Sequence, residues 1–334
     1  MARRGRLPLI FTCSLIVLGA VAVAAGARER DPAVRTPIPA RTVSSHLYVD
    51  PTGAAVAAVR ALDQAGRTAE ATIVRRIAVQ PVATWFTDGS PGYIARARRL
   101  VTAASAAGRT PVLTLYNIPH RDCSGHSAGG AASAAVYRVW VNNLAAALRG
   151  HRAIVVLEPD AVAQAVQGCL TAERAAERYA LLRHAVAALR KAPGVVVYLD
   201  AGNPTWIAAA RIAPALRAAG VGSATGFALN VANFEGTADN IAYGKAVSAL
   251  LTGKHFVIDT SRNGNGPALR GAGDRHWCNP PGRRLGRVPT LHTGQPLVDA
   301  YLWVKRPGES DGACGPGQPA AGHWYPAYAL GLAR

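Results

Sequence analysis

The chain has 334 residues, half of them hydrophobic and 17% charged, which supplies material for a large core and excludes disorder over most of the length. Lys and Arg number 37 against 19 Asp and Glu, a formal charge of +18. The arginines are scattered through Ala/Leu-rich stretches such as Tyr93–Ala107 and Thr171–Lys191, with no zinc-ligand spacing, basic heptad helix or aromatic RNA-binding signature. They read as solvated charges on outer helix faces, and no nucleic-acid partner is expected.

In chain order, Arg3, Arg4 and Arg6 precede an apolar run from Leu7 to Ala25 that closes on Ala25-Gly26-Ala27. A positive flank, an apolar stretch and a small-residue site predict a secretory signal over residues 1–27, hence a secreted protein. The run is also long enough for an uncleaved membrane anchor, which is the alternative. Residues 28–45, with Pro32, Pro37 and Pro39, read as a linker, leaving 46–334 as one folded domain.

From Leu47 onward, short β-branched runs alternate with Ala-rich stretches. Strands are predicted at Ile77–Trp85, Pro111–Asn117, Ala153–Leu157, Val195–Leu199, Gly226–Val231, His255–Asp259 and Leu302–Lys305. Helices are predicted at Ala54–Ala65, Gly92–Ala107, Ala131–Leu148, Ala172–Lys191, Thr205–Ala219 and Ala238–Leu251. The strand runs are apolar nearly throughout, as expected where helices cover a parallel sheet, so the fold class is α/β, open or closed. The Gly/Pro-rich segment Arg262–Gln295 reads as a functional loop.

Beyond Cys13, which lies in the N-terminal run with no lipobox before it, four cysteines remain: Cys123, Cys169, Cys278 and Cys314. In an exported chain they imply two disulfides. Three pairings are open, and the sequential one is the simplest. No Cys-x-x-Cys or His-rich spacing supports a metal site, and lone histidines such as His151, His255 and His276 read as structural.

A polar group stands at or just past the end of every predicted strand: Asp88, Asp122, Glu158 with Asp160, Asp200, Asn230 with Asn233, Asp259, then Lys305, Glu309 and Asp311. Taken singly, such residues are helix caps. Together they mark the mouth at the carboxyl ends of parallel strands, where α/β barrels keep their chemistry. Trp85, Tyr116, Trp206, Phe234, Trp277 and Trp324 share these loops, and aromatic faces beside carboxylates suit sugar rings. There is no Gly-x-Ser-x-Gly elbow, phosphate loop or dinucleotide fingerprint. Paired carboxylates are what glycosidic cleavage requires, one protonated beside the leaving oxygen and one charged.

The segments Tyr116-Asn117-Ile118-Pro119-His120-Arg121-Asp122-Cys123, Leu157-Glu158-Pro159-Asp160, Tyr198-Leu199-Asp200-Ala201-Gly202, Asn230-Val231-Ala232-Asn233-Phe234, Trp277-Cys278-Asn279 and Trp303-Val304-Lys305-Arg306-Pro307-Gly308-Glu309-Ser310-Asp311-Gly312 run in order along the chain. The sequence resembles glycoside hydrolase family 6, the inverting cellulases. The resemblance implies a distorted, TIM-like parallel barrel of seven strands over residues 46–334 and disulfides Cys123–Cys169 and Cys278–Cys314. It implies Asp160 as general acid, Asp122 as the charged helper that lifts the acid's pKa, and Asp311 as candidate base, with a water chain to Asp122 as the alternative. Tyr116 would sit beside the distorted sugar, Asp200, Lys305 and Glu309 would bind sugar or hold the charge network, and Asn230 would contact substrate, with Trp85, Trp206 and Trp277 as stacking platforms. The family's serine near this point is assigned to Ser127, and His120 departs from the usual Gly or Asp. The substrate implied is β-1,4-glucan, with no cofactor, metal or obligate protein partner, and a monomer is expected. A short return from Asp311 to Trp324 favours an open groove and internal cleavage. The alternatives are a chain-end cellobiohydrolase and a non-catalytic glycan-binding protein on the same scaffold.

Overall fold

The computed structural model describes residues 46–269 and 275–334, so the predicted signal and linker lie outside the described residues. Among those described, no helix is long and apolar enough to cross a membrane.

Two helices come first, α1 (Ala54–Gln64) and α2 (Thr68–Ala78). α2 corrects the predicted strand beginning at Ile77. Its buried residues Ala71, Val74 and Ile77 recur every three positions, a helical stripe that the β-branched Ile73, Val74 and Ile77 disguised. Glu70 in its first turn and Arg75 and Arg76 in its last complement the helix dipole. The chain then alternates: β1 (Thr84–Phe86), α3 (Tyr93–Ala106), β2 (Val112–Leu115), α4 (Ala134–Ala147), β3 (Ala153–Leu157), α5 (Ala161–Gln167), α6 (Ala172–Leu189), β4 (Val195–Asp200), α7 (Ala209–Ala218), β5 (Gly226–Leu229), α8 (Thr237–Leu250), β6 (His255–Asp259), β7 (Val298–Leu302) and α9 (Pro326–Ala333).

The seven strands form one parallel sheet in sequence order. The sheet curls until its ends meet: just before β1, Val82 bridges Trp303, just after β7, and Ala83 N–H donates to the Trp303 carbonyl at 2.9 Å. The last strand begins at Val298 rather than at the predicted Leu302, and it pairs Asp259 with Leu302. Asp299 hid it. That carboxylate lies within the strand because it accepts from Tyr198 Oη and pairs with His255 Nδ1, both at 2.7 Å.

Strand residues sort by parity into two packed faces. Leu113, Leu115, Val155, Leu157, Val197, Leu199, Phe227 and Leu229 face the helices. Val112, Ile154, Val156, Val196, Tyr198, Ala228, Val257 and Ala300 fill the barrel interior. Covering both faces is what made the strands read as unbroken apolar runs. Two residues beyond Tyr198 and Val257, Asp200 and Asp259 continue the inward face, and both are buried at the carboxyl end of the barrel.

Candidate active site

The loops at the carboxyl ends of the strands enclose a cleft of about 950 Å³. Of the residues expected there, Trp85, Tyr116, Asp122, Ser127, Asp160, Trp206, Trp277, Lys305, Glu309 and Asp311 line it. Asp200 and Asn230 do not; both are fully buried beneath it. The Asn230 amide is occupied by the loop after β5, donating to the carbonyls of Glu235 and Asp259 and accepting from Glu235 N–H. Asn203 and Asn233 present amides to the cleft instead, with Gln164 and Gln167.

Strand-end carboxylates therefore divide in two. Asp122, Asp160, Glu309 and Asp311 line the cleft, while others hold loop backbone in place. Buried Glu158 accepts from Asn117 and Ile118 N–H at 3.0 Å, and burial pushes its carboxyl up to about 7. Asp259 accepts from the N–H groups of Ala232, Ser261, Val304 and Lys305. Asp88 caps the turn at Ser90 and stays outside the cleft. Non-glycine residues with left-handed φ cluster on the same loops, including Asp122 (60°), Cys123 (45°), Ser124 (73°), Glu158 (50°) and Asp160 (67°). Each costs on the order of 1 kcal/mol and persists only where surroundings enforce it. At Gly130 even a methyl would be impossible, since a Cβ would lie 2.0 Å from the Ile118 carbonyl.

Three local assemblies carry the three cleft aspartates. Asp122 sits on a single 3-10 turn, Asp122–Ser124, and accepts from Ser127 N–H at 2.6 Å. Arg121 braces this loop, donating to the carbonyls of Ser127, Thr87 and Tyr116 with its guanidinium 4.8 Å above the Tyr116 ring. Burial raises the Asp122 carboxyl above its ordinary value, against the backbone bond and the nearby cations.

Asp160 caps α5, and its backbone N–H donates to Asp200 Oδ2 at 2.8 Å. Burial first, then the charges of Asp200 and Asp122, push the Asp160 carboxyl well above its ordinary value. Burial raises Asp200 as well, but Asp200 also accepts from Gly202 N–H. Backbone donors favour the ionised form and oppose the rise at Asp200, so the larger upward push falls on Asp160.

Asp311 is held differently. Arg262 Nη1 lies 2.7 Å from Oδ2 and Lys305 Nζ 3.1 Å from Oδ1, while Asn279 bonds its backbone and side chain. Burial alone would raise this carboxyl; the two cations hold it below its ordinary value. Arg262, itself wholly buried and stacked 4.2 Å over Phe234, gave no signal in the sequence.

The aromatic wall is formed by Trp85, whose Nε1 donates to Val304 O, by Trp206, whose Nε1 donates to Gln167, and by half-exposed Trp277. His276, expected to be structural, lines the cleft with His126 and His323. Disulfides join Cys123 to Cys169 and Cys278 to Cys314, tying the Asp122 loop to the end of α5 and the Trp277 loop to the segment after Asp311. Those two loops meet where His126 Nε2 comes within 3.4 Å of Cys314 Sγ. His126, Cys278 and Cys314 lie close enough to suggest a metal, but both sulfurs are consumed in one disulfide and offer no thiolate.

Residues 42–334 match the profile of glycosyl hydrolases family 6. The chain is 40% identical to endoglucanase 1 of Streptomyces halstedii, over 98% of this chain and 97% of that protein. It is 43% identical to endoglucanase A of Cellulomonas fimi over 87% of its own length, but spans only 61% of that relative. The solved endoglucanase Cel6 of Mycobacterium tuberculosis, in complex with a methyl-cellobiosyl thio-cellobioside, superposes with a TM-score of 0.81 at 45% identity, covering 86% of this chain and 96% of that one.

Proposed function

The chain belongs to glycosyl hydrolase family 6 and is a glycoside hydrolase; on that premise we propose that it cleaves internal β-1,4-glucosidic bonds with inversion at the anomeric carbon. The observation that carries the reading is Asp160 facing a sugar-sized cleft, its carboxyl pushed well above its ordinary value by burial and by the neighbouring Asp200 and Asp122. Asp160 gives its proton to the leaving glycosidic oxygen as the C1–O bond breaks. A water attacks C1 from the opposite face and loses its proton toward Asp122, directly or through a second water. Asp122 suits this role because burial has made it the more basic carboxylate. Asp311, paired with Arg262 and Lys305, is a weak base; it fixes the charge of Lys305 at the cleft wall. Tyr116 packs beside the reacting sugar, Ser127 shapes the Asp122 loop, and Trp85, Trp206 and Trp277 stack on rings along the groove.

Internal cleavage is supported by the endoglucanase relatives and by the short return from Asp311 to Trp324. Two disulfides support an oxidising, extracellular destination.

The test follows viscosity and reducing ends together on a soluble cellulose derivative, and reads the first product by NMR. Viscosity should fall well before reducing ends accumulate, and the new end should be the α anomer. Cellobiose as sole early product would replace this reading with chain-end cleavage; a β anomer would remove the inverting mechanism; binding without turnover would leave only a glycan-binding role.

A further inference from the structure

The segment bearing Asp122 and the helix bearing Asp160 are joined by a buried cation that none of the steps above uses. Arg178, on α6, is 2% exposed. Its Nη2 donates to the carbonyls of Pro119 (3.2 Å) and His120 (2.6 Å), two residues before Asp122. Its Nη1 donates to the carbonyl of Ala161 (3.3 Å) and to Gln164 Oε1 (3.2 Å), both on the helix that Asp160 caps. The partners in these four bonds are all neutral, so the positive charge is left to act on the carboxylates around it.

We propose that Arg178 is a positioning residue for catalysis: its fork holds Asp160 and Asp122 in register across the scissile bond, and its charge balances the carboxylate left on Asp160 when the proton has moved to the leaving oxygen. The proposal rests on the roles given to those two aspartates. A planar guanidinium with donors on both sides bridges two backbone segments as no other side chain does. Its cost is a buried charge, which is tolerated only where anions stand near. The carboxyls facing it are Glu158 and Asp160, and the phenols Tyr116 and Tyr179 stand beside them. Asp160 in turn is faced by Asp200, Asp122 and Tyr116, with Arg178 as the cation that opposes them. Asp259 adds a further negative charge beside Asp200. Removing the guanidinium charge therefore makes Asp160 a weaker acid that keeps its proton to higher pH.

The test compares Arg178→Met and Arg178→Lys with the parent on a soluble cellulose derivative across pH, with unfolding followed in parallel. The methionine variant should lose on the order of 10- to 100-fold in kcat with KM little changed, and the alkaline limb of its profile should move up by roughly one pH unit. The lysine variant should keep the parent's alkaline limb yet stay slower, since one ammonium restores the charge but not the fork. A purely structural residue would lower the folded fraction and leave the limb in place. A folded methionine variant with the parent's kcat and profile overturns the proposal. If methionine does not fold, lysine decides: reduced kcat with an unmoved limb supports it, and parental kcat or a shifted limb overturns it. An inert parent enzyme would instead sink the hydrolase reading itself.

Discussion

Burial and two acidic neighbours push the Asp160 carboxyl well above its ordinary value, while backbone N–H groups donating to Asp200 oppose the rise there. Asp160→Asn removes the transferable proton but keeps the shape, so activity should drop by about 10²–10⁴-fold while oligosaccharide binding, read by calorimetry, persists. Equal loss of binding would contradict the assignment. The pH profile follows from the same shifts. Activity is lost as pH rises through the elevated Asp160 value and also as pH falls through the elevated Asp122 value. Both limbs should therefore lie above the ordinary carboxylate value of about 4, and an acid limb below it would contradict the Asp122 role. These aspartates were legible in the sequence because they sit in distinctive motifs at strand ends. Arg178 and Arg262 were not: an arginine in an Ala/Leu-rich helix, or in a glycine-rich loop, carries the same local pattern whether it faces solvent or a buried carboxylate. Asn230 misled for the converse reason, since a polar residue past a strand satisfies backbone as readily as it meets substrate.

At the scale of elements, the alternation of strands and helices was readable because each strand is covered on both faces and each crossover helix is long. Shorter pieces escaped. α5 has seven residues, too few for a periodic stripe, and α2 carries β-branched residues that imitate a strand. Yet α5 presents Asp160, and it is secured by the disulfide from Cys169 to Cys123, 46 residues apart in sequence. Closing a loop of that length stabilises the fold by about 4 kcal/mol on the chain-entropy estimate. The Cys123→Ser/Cys169→Ser variant should show that loss in urea unfolding, with a further fall in kcat because the Asp122 turn, with its left-handed residues, loses a covalent constraint. Unchanged activity after the stability loss would show that Arg121 and the backbone bonds suffice to hold the turn.

Across the whole molecule, the excess of cations proves partly architectural. Arg183 donates to the Ala218 carbonyl, Arg217 to Leu250, Arg211 to Val166, and Arg76 to Ala333. These acceptors lie at or near the C-terminal ends of α7, α8, α5 and α9, where carbonyls lack partners within their own helix and the dipole favours a cation. The pattern could not be read from sequence, because donor and acceptor stand on different helices. One boundary has less support. Among the described residues, β1 and β7 are joined by the isolated Val82–Trp303 bridge and the Trp85 side-chain bond to Val304 O rather than by a ladder, with Ile77, Trp303, Ala329 and Ala333 packed over the joint as a small separate cluster. The barrel thus has a weak stave. In hydrogen–deuterium exchange, the amide of Ala83 should exchange faster than those of Val155 and Val197 in the central strands; equal protection would mean a uniformly closed hoop. Clipping the C-terminal helix would strip the cover from that joint and let the hoop spring open there first, widening the groove without touching a single aspartate.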